Sequence, residues 1–146
     1  MVPVNRRGRS QPLILDIRRM DIRNVARVPA FTTKDGSEIR ELLAHRNSCI
    51  RQQSLAEARL PPGGSTTPHY HRRTEEIYYI LEGAGRMQIG DRSRDVGQGD
   101  AIAILPGEVH SIVCTSPGPL VFLCCCTPPY EHSDTVLVEQ KVEKPL

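Results

Sequence analysis

Two histidines and two acidic residues follow one another closely near the middle of the chain. His69 and His71 are two positions apart, and Glu75 and Glu76 come soon after them. Because successive side chains of a β-strand point to opposite faces, residues two apart share a face, and both imidazoles can point at one ion. Imidazole and carboxylate groups together suit a borderline divalent metal. These residue types at this spacing therefore predict a metal site, to which either glutamate could contribute.

A third histidine comes farther along the chain, after a strand and a tight turn. The strand covers residues 101–105, Pro106 and Gly107 break it, and His110 begins the next strand. Three imidazoles and one carboxylate leave about two open positions on a six-coordinate ion. A reactive metal site needs such open positions, because a substrate or water binds there.

Strands joined by short turns must position these side chains. The chain contains 11 glycines and 12 prolines, and no long segment has a helical period. Residues 12–17 could form one short strand, and residues 38–44 form a strand or one to two helical turns, of which we favour the strand. The other predicted strands are 54–60, 75–81, 85–89, 92–96, 101–105, 110–115 and 120–127. Short strands in close succession predict an all-β fold, either an antiparallel sandwich or a barrel.

The composition of the chain argues against several classes of protein. A length of 146 residues, a net charge of +2 and the absence of tryptophan predict one domain without a nucleic-acid surface. No apolar run approaches the roughly 20 residues of a membrane span, so we expect no membrane partner. The five cysteines are odd in number and three are consecutive, from Cys124 to Cys126. This pattern favours buried free thiols in a reducing cytoplasm over a disulfide framework.

The residues around the first two histidines match a motif of the cupin family, which this chain resembles. That motif runs glycine, five residues, His-x-His, three or four residues, glutamate, six residues and glycine. The matching residues are Gly63, His69, His71, Glu76 and Gly83. The spacing of six residues before the final glycine selects Glu76 rather than Glu75 as the carboxylate.

The region around the third histidine resembles the second motif of the same family. The family's two glycines and its histidine correspond to Gly99, Gly107 and His110. Leu105 stands where the family usually has a proline, and Cys114 stands where it usually has an asparagine. Asparagine is not a metal ligand in the family, so this difference concerns the wall of the pocket. The resemblance spans roughly residues 52–127, which is about half of the chain.

The resemblance implies a cupin-type jelly-roll β-barrel, often dimeric, with a metal ion inside. The expected cofactor is one divalent transition metal ion: Mn, Fe, Ni, Co, Cu or Zn. The implied ligands are His69, His71, Glu76 and His110. We predict a flexible or subunit-exchanged arm at residues 1–20, the barrel at 21–130 and a tail at 131–146. The expected partners are a small-molecule ligand and a second copy of the chain.

Tyr78 is the candidate catalytic residue beyond the metal ligands. It shares a strand face with Glu76, and its phenol could be an acid, a base, a hydrogen-bond donor or an inert part of the pocket wall. Glu76 could itself move a proton if it loosened from the metal. One of Met87 and Gln88 should face the pocket. Surface positions are expected for His45 and His132 and, in an ion pair or in solvent, for Arg40.

Two classes of function fit these residues. The first is a metal-dependent enzyme that acts on a small oxygen-chelating organic molecule by dioxygenation, isomerisation or lyase-type elimination. The alternative is a non-enzymatic protein that binds a small molecule or is stabilised by its metal. The motifs predict a metal with open positions, and they do not choose among these reactions, because a fold does not fix a function.

Overall fold

The structure of the protein, a computed structural model, describes residues 20–139. The predicted strand at residues 12–17 lies outside the described residues. So do residues 1–19 of the predicted arm and residues 140–146 of the predicted tail. No helix within residues 20–139 is both long and apolar enough to cross a membrane.

Strands dominate the part of the chain that the structure describes. They are β1 (Phe31–Thr32), β2 (Glu38–Leu43), β3 (Ser54–Leu60), β4 (His69–His71), β5 (Glu75–Glu82), β6 (Ala84–Ile89), β7 (Arg92–Gly97), β8 (Ala101–Ile104), β9 (His110–Cys114), β10 (Leu120–Thr127) and β11 (Thr135–Leu137). Two single-turn 3-10 helices, Val25–Arg27 and His132–Asp134, complete the described elements.

The strands form two antiparallel sheets. One sheet has the order β1-β2-β3-β10-β5-β8, and the other has the order β11-β4-β9-β6-β7. The hydrophobic core contains side chains from both sheets, such as Ile80 on β5 and Ile112 on β9, so it lies between them. Burying each such side chain stabilises the fold by about 1.5–3 kcal/mol. The predicted all-β class, with an antiparallel sandwich or barrel, is confirmed.

Side-chain alternation along β5 separates the interior of the barrel from its outer face. Glu76, Tyr78 and Ile80 are buried, whereas Glu75 and Ile77 are exposed. This alternation is the period of two that an antiparallel strand with one covered face requires. The inward residues change from an acid to a phenol to an aliphatic side chain. One end of the interior is therefore polar and the other end is apolar.

The same gradient occurs on β9, in the opposite sheet. His110, Ile112 and Cys114 are buried and face the interior in that order. The Cα positions of His110 and His69 are paired across β9 and β4. The polar ends of strands from both sheets therefore meet at one end of the barrel, where the predicted metal site lies.

The turn before β9 connects two parts of this polar end. Gly107 has a φ of +81°, a conformation that glycine adopts without steric cost, and its N–H donates to the carbonyl oxygen of His71 at 2.7 Å. This hydrogen bond joins the turn that leads into His110 to the strand that carries His71. It therefore helps to fix the relative position of the two histidines.

Strand β11 is an element that the sequence did not indicate. Thr135–Leu137 pair with β4, and Thr135 lies opposite His71. These residues fall within the segment that we assigned to the tail, where the sequence shows only a short apolar island. The domain boundaries themselves stay predictions, but the structure places this part of the tail beside the candidate site.

Candidate metal centre

The three motif histidines lie together inside the barrel. His69 and His71 project from β4 and His110 projects from β9, and all three side chains are buried. The ring centres of His69 and His110 are 4.2 Å apart, and that of His71 is 5.2 and 5.5 Å from them. One ligand nitrogen from each ring lies within 4.8 Å of the other two. The structure thus brings together the three imidazoles whose spacing predicted a shared ion.

The Nδ1 atom of each ring has a hydrogen-bond acceptor beside it. His69 Nδ1 lies 2.7 Å from the carbonyl oxygen of Thr67, and His110 Nδ1 lies 2.9 Å from that of Glu108. His71 Nδ1 lies 3.0 Å from the hydroxyl of Thr135, which in turn donates to the carbonyl oxygen of Glu131. Because these oxygens accept, each Nδ1 carries the ring's hydrogen, and Nε2 of the neutral ring has a free lone pair.

The Nε2 atoms of His71 and His110 lie beside the Glu76 carboxylate. Oε1 of Glu76 lies 3.2 Å from Nε2 of His71 and 3.5 Å from that of His110. Among residues 20–139, His110 Nε2 is the one buried side-chain nitrogen or oxygen without a hydrogen-bond partner. Converging lone pairs and a carboxylate oxygen repel one another unless a cation or proton lies between them. This donor set therefore fits a divalent transition metal.

Glu76 is held as a carboxylate in this buried position. Burial raises the pKa of its carboxyl, but hydrogen bonds from His110 and His71 in their protonated form, the charge of protonated His71 and a hydrogen bond from the Cys126 thiol together lower that pKa to about 2. The thiol of Cys126 donates to Oε2 of Glu76 at 3.0 Å, which leaves Oε1 directed at the histidines. Glu75, the alternative that the spacing left open at first, is exposed on the other face of β5.

His69 is kept in its neutral form. Burial lowers the pKa of its ring, and the nearby His110 lowers it further, although Asp35 opposes this shift. A neutral imidazole is the form that binds a metal. The electrostatics of both Glu76 and His69 therefore favour the protonation states of ligands.

A cavity of about 40 Å³ adjoins this cluster. It reaches the histidines of β4 and Glu76, and its other walls include Tyr78, Cys124 and Cys126. The volume corresponds to about three water molecules, at roughly 10–15 Å³ each. There is room beside the histidines for an ion and a few atoms of a ligand.

Sequence comparisons place this arrangement in a known family. Residues 56–126 match the family profile described as a cupin domain. An uncharacterised protein of Methanocaldococcus jannaschii is 46% identical over 113 residues, which cover 77% of this chain and 90% of that relative. The chain belongs to the cupin family.

Two further proteins, each with a stated function, are similar to this cupin. The oxalate-binding protein of Thermotoga maritima is 35% identical over 86 residues, which cover 59% of this chain and 71% of that protein. The structure of the polyketide cyclase RemF from Streptomyces resistomycificus superposes with a TM-score of 0.70 at 27% identity, and covers 86% of this chain and 89% of that one. The predicted cupin-type barrel is confirmed.

Tyr78 lies on the wall of the cavity, on the same face of β5 as Glu76. Its ring packs against Phe122, with centres 4.6 Å apart, and against His110 at 5.9 Å. Burial raises the pKa of its phenol well above the ordinary value, and the charge of Glu76 adds to this shift. The hydroxyl therefore keeps its proton at neutral pH, which suits a hydrogen-bond donor or acid better than a base.

The remaining predicted residues of the cupin barrel lie away from the cluster. Met87 is buried in the apolar core, whereas Gln88 is exposed. Arg40 forms an ion pair with Glu38 at 2.6 Å and is not part of the cavity wall. His45 and His132 are exposed, as expected.

The cysteines of this cupin occupy different environments. All five are free, in agreement with the prediction against a disulfide framework. Cys124 and Cys126 line the cavity and Cys114 lies in the core, while Cys125 is half-buried. Cys49 is exposed, so the expectation that the thiols are buried is wrong at that position.

Two groups of residues at the site were not found from the sequence. The first comprises the acceptors of the Nδ1 hydrogens, from Thr67, Glu108 and Thr135, of which two are backbone carbonyls that side-chain identity does not reveal. The second is Asp35, whose Oδ2 lies 3.7 Å from Nε2 of His69. The sequence indicated only that Asp35 lies in a turn around Gly36. Aspartates in turns are common at protein surfaces, so the turn did not predict a position in the cavity.

Proposed function

We propose that this cupin binds one divalent transition metal through His69, His71, Glu76 and His110, and acts through it on a small organic molecule that chelates by two oxygens. The observation that supports the proposal is the cluster of buried Nε2 lone pairs around Glu76, including the unpartnered Nε2 of His110. The Nδ1 hydrogen bonds hold the three rings in the orientation that directs these lone pairs inward.

The metal, when bound, would supply a Lewis acid and, if it is redox-active, electron transfer. The chain's own residues would orient the ligand and exclude water. Glu76 provides negative charge at the cluster, and Tyr78 presents a phenol that keeps its proton. The mostly apolar walls of the cavity limit the water around a bound ligand.

The size of the cavity favours a ligand of a few atoms. A volume of about 40 Å³ favours a ligand no larger than a two-carbon chelator such as oxalate, and a polyketide exceeds it. The similarity to the oxalate-binding protein of Thermotoga maritima supports a ligand of this size. Small molecules with two neighbouring oxygens are therefore the substrate class that we propose.

A second candidate function is binding without turnover. The similar protein from Thermotoga maritima is described as an oxalate-binding protein. The same site would then hold the metal and the chelating ligand, without a subsequent reaction. The two candidates share the metal and the ligand class and differ in whether the ligand is converted.

Metal analysis tests the site that both candidates share. We expect protein purified without chelators or a polyhistidine tag to contain about one ion per chain. His110→Ala and Glu76→Gln should lose most of it, because each removes a ligand. The matched controls His132→Ala and Glu75→Gln change exposed residues of the same types and should keep it. Unchanged metal content in His110→Ala would refute the proposed site.

Ligand binding and product analysis separate the two candidates. Calorimetry of the metal-loaded protein with oxalate and glycolate should detect binding of at least one, and the metal-free protein should bind neither. Nuclear magnetic resonance of the bound ligand over hours then shows whether it is converted. Conversion supports the enzyme and unchanged ligand supports the binding protein, whereas equal binding with and without metal contradicts both.

A further inference from the structure

Asp35 is a buried carboxylate on the cavity wall, and neither the cupin motifs nor the proposed set of metal ligands includes it. It belongs to the turn between β1 and β2, and its side chain points toward His69. Its Oδ2 atom lies 3.7 Å from Nε2 of that ring. Asp35 lies within ion-pair distance of the His69 ring. Glu76 lies within the same distance of the other two rings, those of His71 and His110. The two carboxylates therefore flank the cluster at different places.

The turn holds the Asp35 side chain in one orientation. Its Oδ1 atom accepts hydrogen bonds from the backbone N–H of Ser37 at 2.9 Å and from the Ser37 hydroxyl at 2.7 Å. Gly36, between them, has a φ of +93°. With Oδ1 occupied by these two donors, Oδ2 is the oxygen that faces the cavity.

Thr67 fixes the position of Asp35 relative to His69. Its N–H donates to the backbone carbonyl oxygen of Asp35 at 2.7 Å, and its own carbonyl oxygen accepts from Nδ1 of His69 at 2.7 Å. One residue thus connects the turn to the ring. The separation of Oδ2 and Nε2 is therefore set by a short chain of hydrogen bonds.

The atoms that face each other across this gap are both acceptors. Nε2 of the neutral His69 ring offers a lone pair, and Oδ2 of Asp35 offers the lone pairs of a carboxylate. Within residues 20–139, no lysine or arginine lies within ion-pair distance of Asp35. A buried carboxylate without a cationic partner is costly unless a bound group compensates it. A metal on His69 would satisfy the ring, and a ligand that carries a hydrogen would satisfy Asp35.

We propose that Asp35 determines ligand specificity by accepting a hydrogen bond from a hydroxyl group of the chelating molecule. This inference rests on the proposed function, because it concerns the ligand of that metal site. The preferred ligand class is then a small molecule with a hydroxyl beside its second chelating oxygen, such as a 2-hydroxy acid. A fully deprotonated dianion such as oxalate has no hydrogen to offer and is repelled by the carboxylate.

The test compares glycolate with oxalate by calorimetry on the metal-loaded protein. Asp35→Asn keeps an oxygen for the hydrogen bonds from Ser37 but replaces the carboxylate that faces the cavity with an amide. We expect the ratio of the glycolate dissociation constant to the oxalate dissociation constant to rise by about tenfold or more in this variant. A change of that size is the effect of one hydrogen bond to a charged group. The control Asp95→Asn removes the same charge from the exposed outer surface and should leave the ratio unchanged.

A second variant tests the orientation of the carboxylate. Ser37→Ala removes one of the two hydrogen bonds to Oδ1, so the ratio should shift in the same direction by a smaller factor. This variant also keeps the test decisive if Asp35→Asn fails to fold.

The outcomes separate this inference from the proposed function. An unchanged ratio in folded, metal-loaded Asp35→Asn and Ser37→Ala would overturn the role of Asp35 and leave the metal site intact. Loss of metal from Asp35→Asn would also overturn it, because Asp35 would then be a metal ligand. If the wild-type protein bound no metal, the proposed function itself would fail.

Discussion

The hydrogen bonds outside the cluster determine how well His69, His71 and His110 can act as ligands. Each Nδ1 meets an acceptor, and this fixes both the ring orientation and the position of the ring's hydrogen. Partners of this kind also raise the basicity of the ligand nitrogen. The metal affinity of the proposed site would therefore depend on residues that do not contact the ion.

Thr135→Val tests this dependence for His71. Valine has nearly the shape of threonine but cannot accept the Nδ1 hydrogen, so the His71 ring loses the hydrogen bond that fixes its orientation. We expect metal affinity to fall by about tenfold, at the lower end of the usual effect of such partners. Competition with a chromogenic chelator measures the affinity. Thr115→Val, at an exposed position, is the control, and equal affinities in the two variants would contradict the prediction.

The acid sensitivity of the metal-free protein should depend on Glu76. Its pKa is about 2 in the folded protein, below the ordinary 4.5, so the folded state binds fewer protons between these values. The carboxylate therefore contributes stability above about pH 4.5 that is lost as the pH falls toward 2. The shift corresponds to on the order of 3 kcal/mol.

Urea unfolding at several pH values measures this contribution. We expect the unfolding free energy of the wild-type protein and of Glu75→Gln to fall more steeply below pH 4.5 than that of Glu76→Gln. Parallel curves for Glu75→Gln and Glu76→Gln would show that the buried carboxylate does not account for the acid sensitivity.

The turn between β8 and β9 is the element that joins the histidines of different strands. Gly107 reaches His71 through its N–H, and the chain enters β9 at His110 three residues later. Its positive φ is required for this path. A cupin with a different turn would present the same histidine at another angle.

Gly107→Ala should strain this turn. A Cβ at this position meets no atom within 4 Å, so the cost arises from the backbone conformation and not from a clash. We expect the unfolding free energy to fall by about 1–2 kcal/mol and metal affinity to fall with it. Gly97→Ala also places a Cβ in open space, at a residue without a positive φ, and should retain both properties. Similar losses in the two variants would exclude the turn conformation as the cause.

The proposed site connects the two sheets of the whole barrel. His69, His71 and His110 belong to the five-stranded sheet, and Glu76 belongs to the six-stranded sheet. A metal bound by all four would therefore stabilise the folded state against separation of the sheets. The homodimer and the cytoplasmic location, which the structure of one chain does not test, stay predictions.

Metal addition should raise the melting temperature of the whole protein. At a free metal concentration of 100 times the dissociation constant, the gain is about 2.7 kcal/mol. Differential scanning calorimetry of metal-free protein with added Mn, Co or Zn measures it. Wild type and His132→Ala should respond equally, whereas His110→Ala should respond weakly. A large shift in His110→Ala would mean that the ion binds elsewhere.

The sequence by itself determined the class of the fold and the types of ligand. Alternation along β5 is a local property, so it separates Glu76 from Glu75 once the strand is recognised. The spacing of His69 and His71 and the turn before His110 are also local. These features predicted which side chains share a face, and they were sufficient to locate the polar end of the barrel.

The tertiary structure alone decided what surrounds those ligands. Thr135 reaches His71 from a strand 64 residues away, and Asp35 reaches His69 from the turn between β1 and β2. The sequence does not indicate which backbone carbonyl groups, such as that of Thr67, accept these hydrogen bonds, because every residue has a backbone carbonyl group. Contacts between distant segments depend on how both sheets pack, and a pattern with a period of two contains no information about that packing.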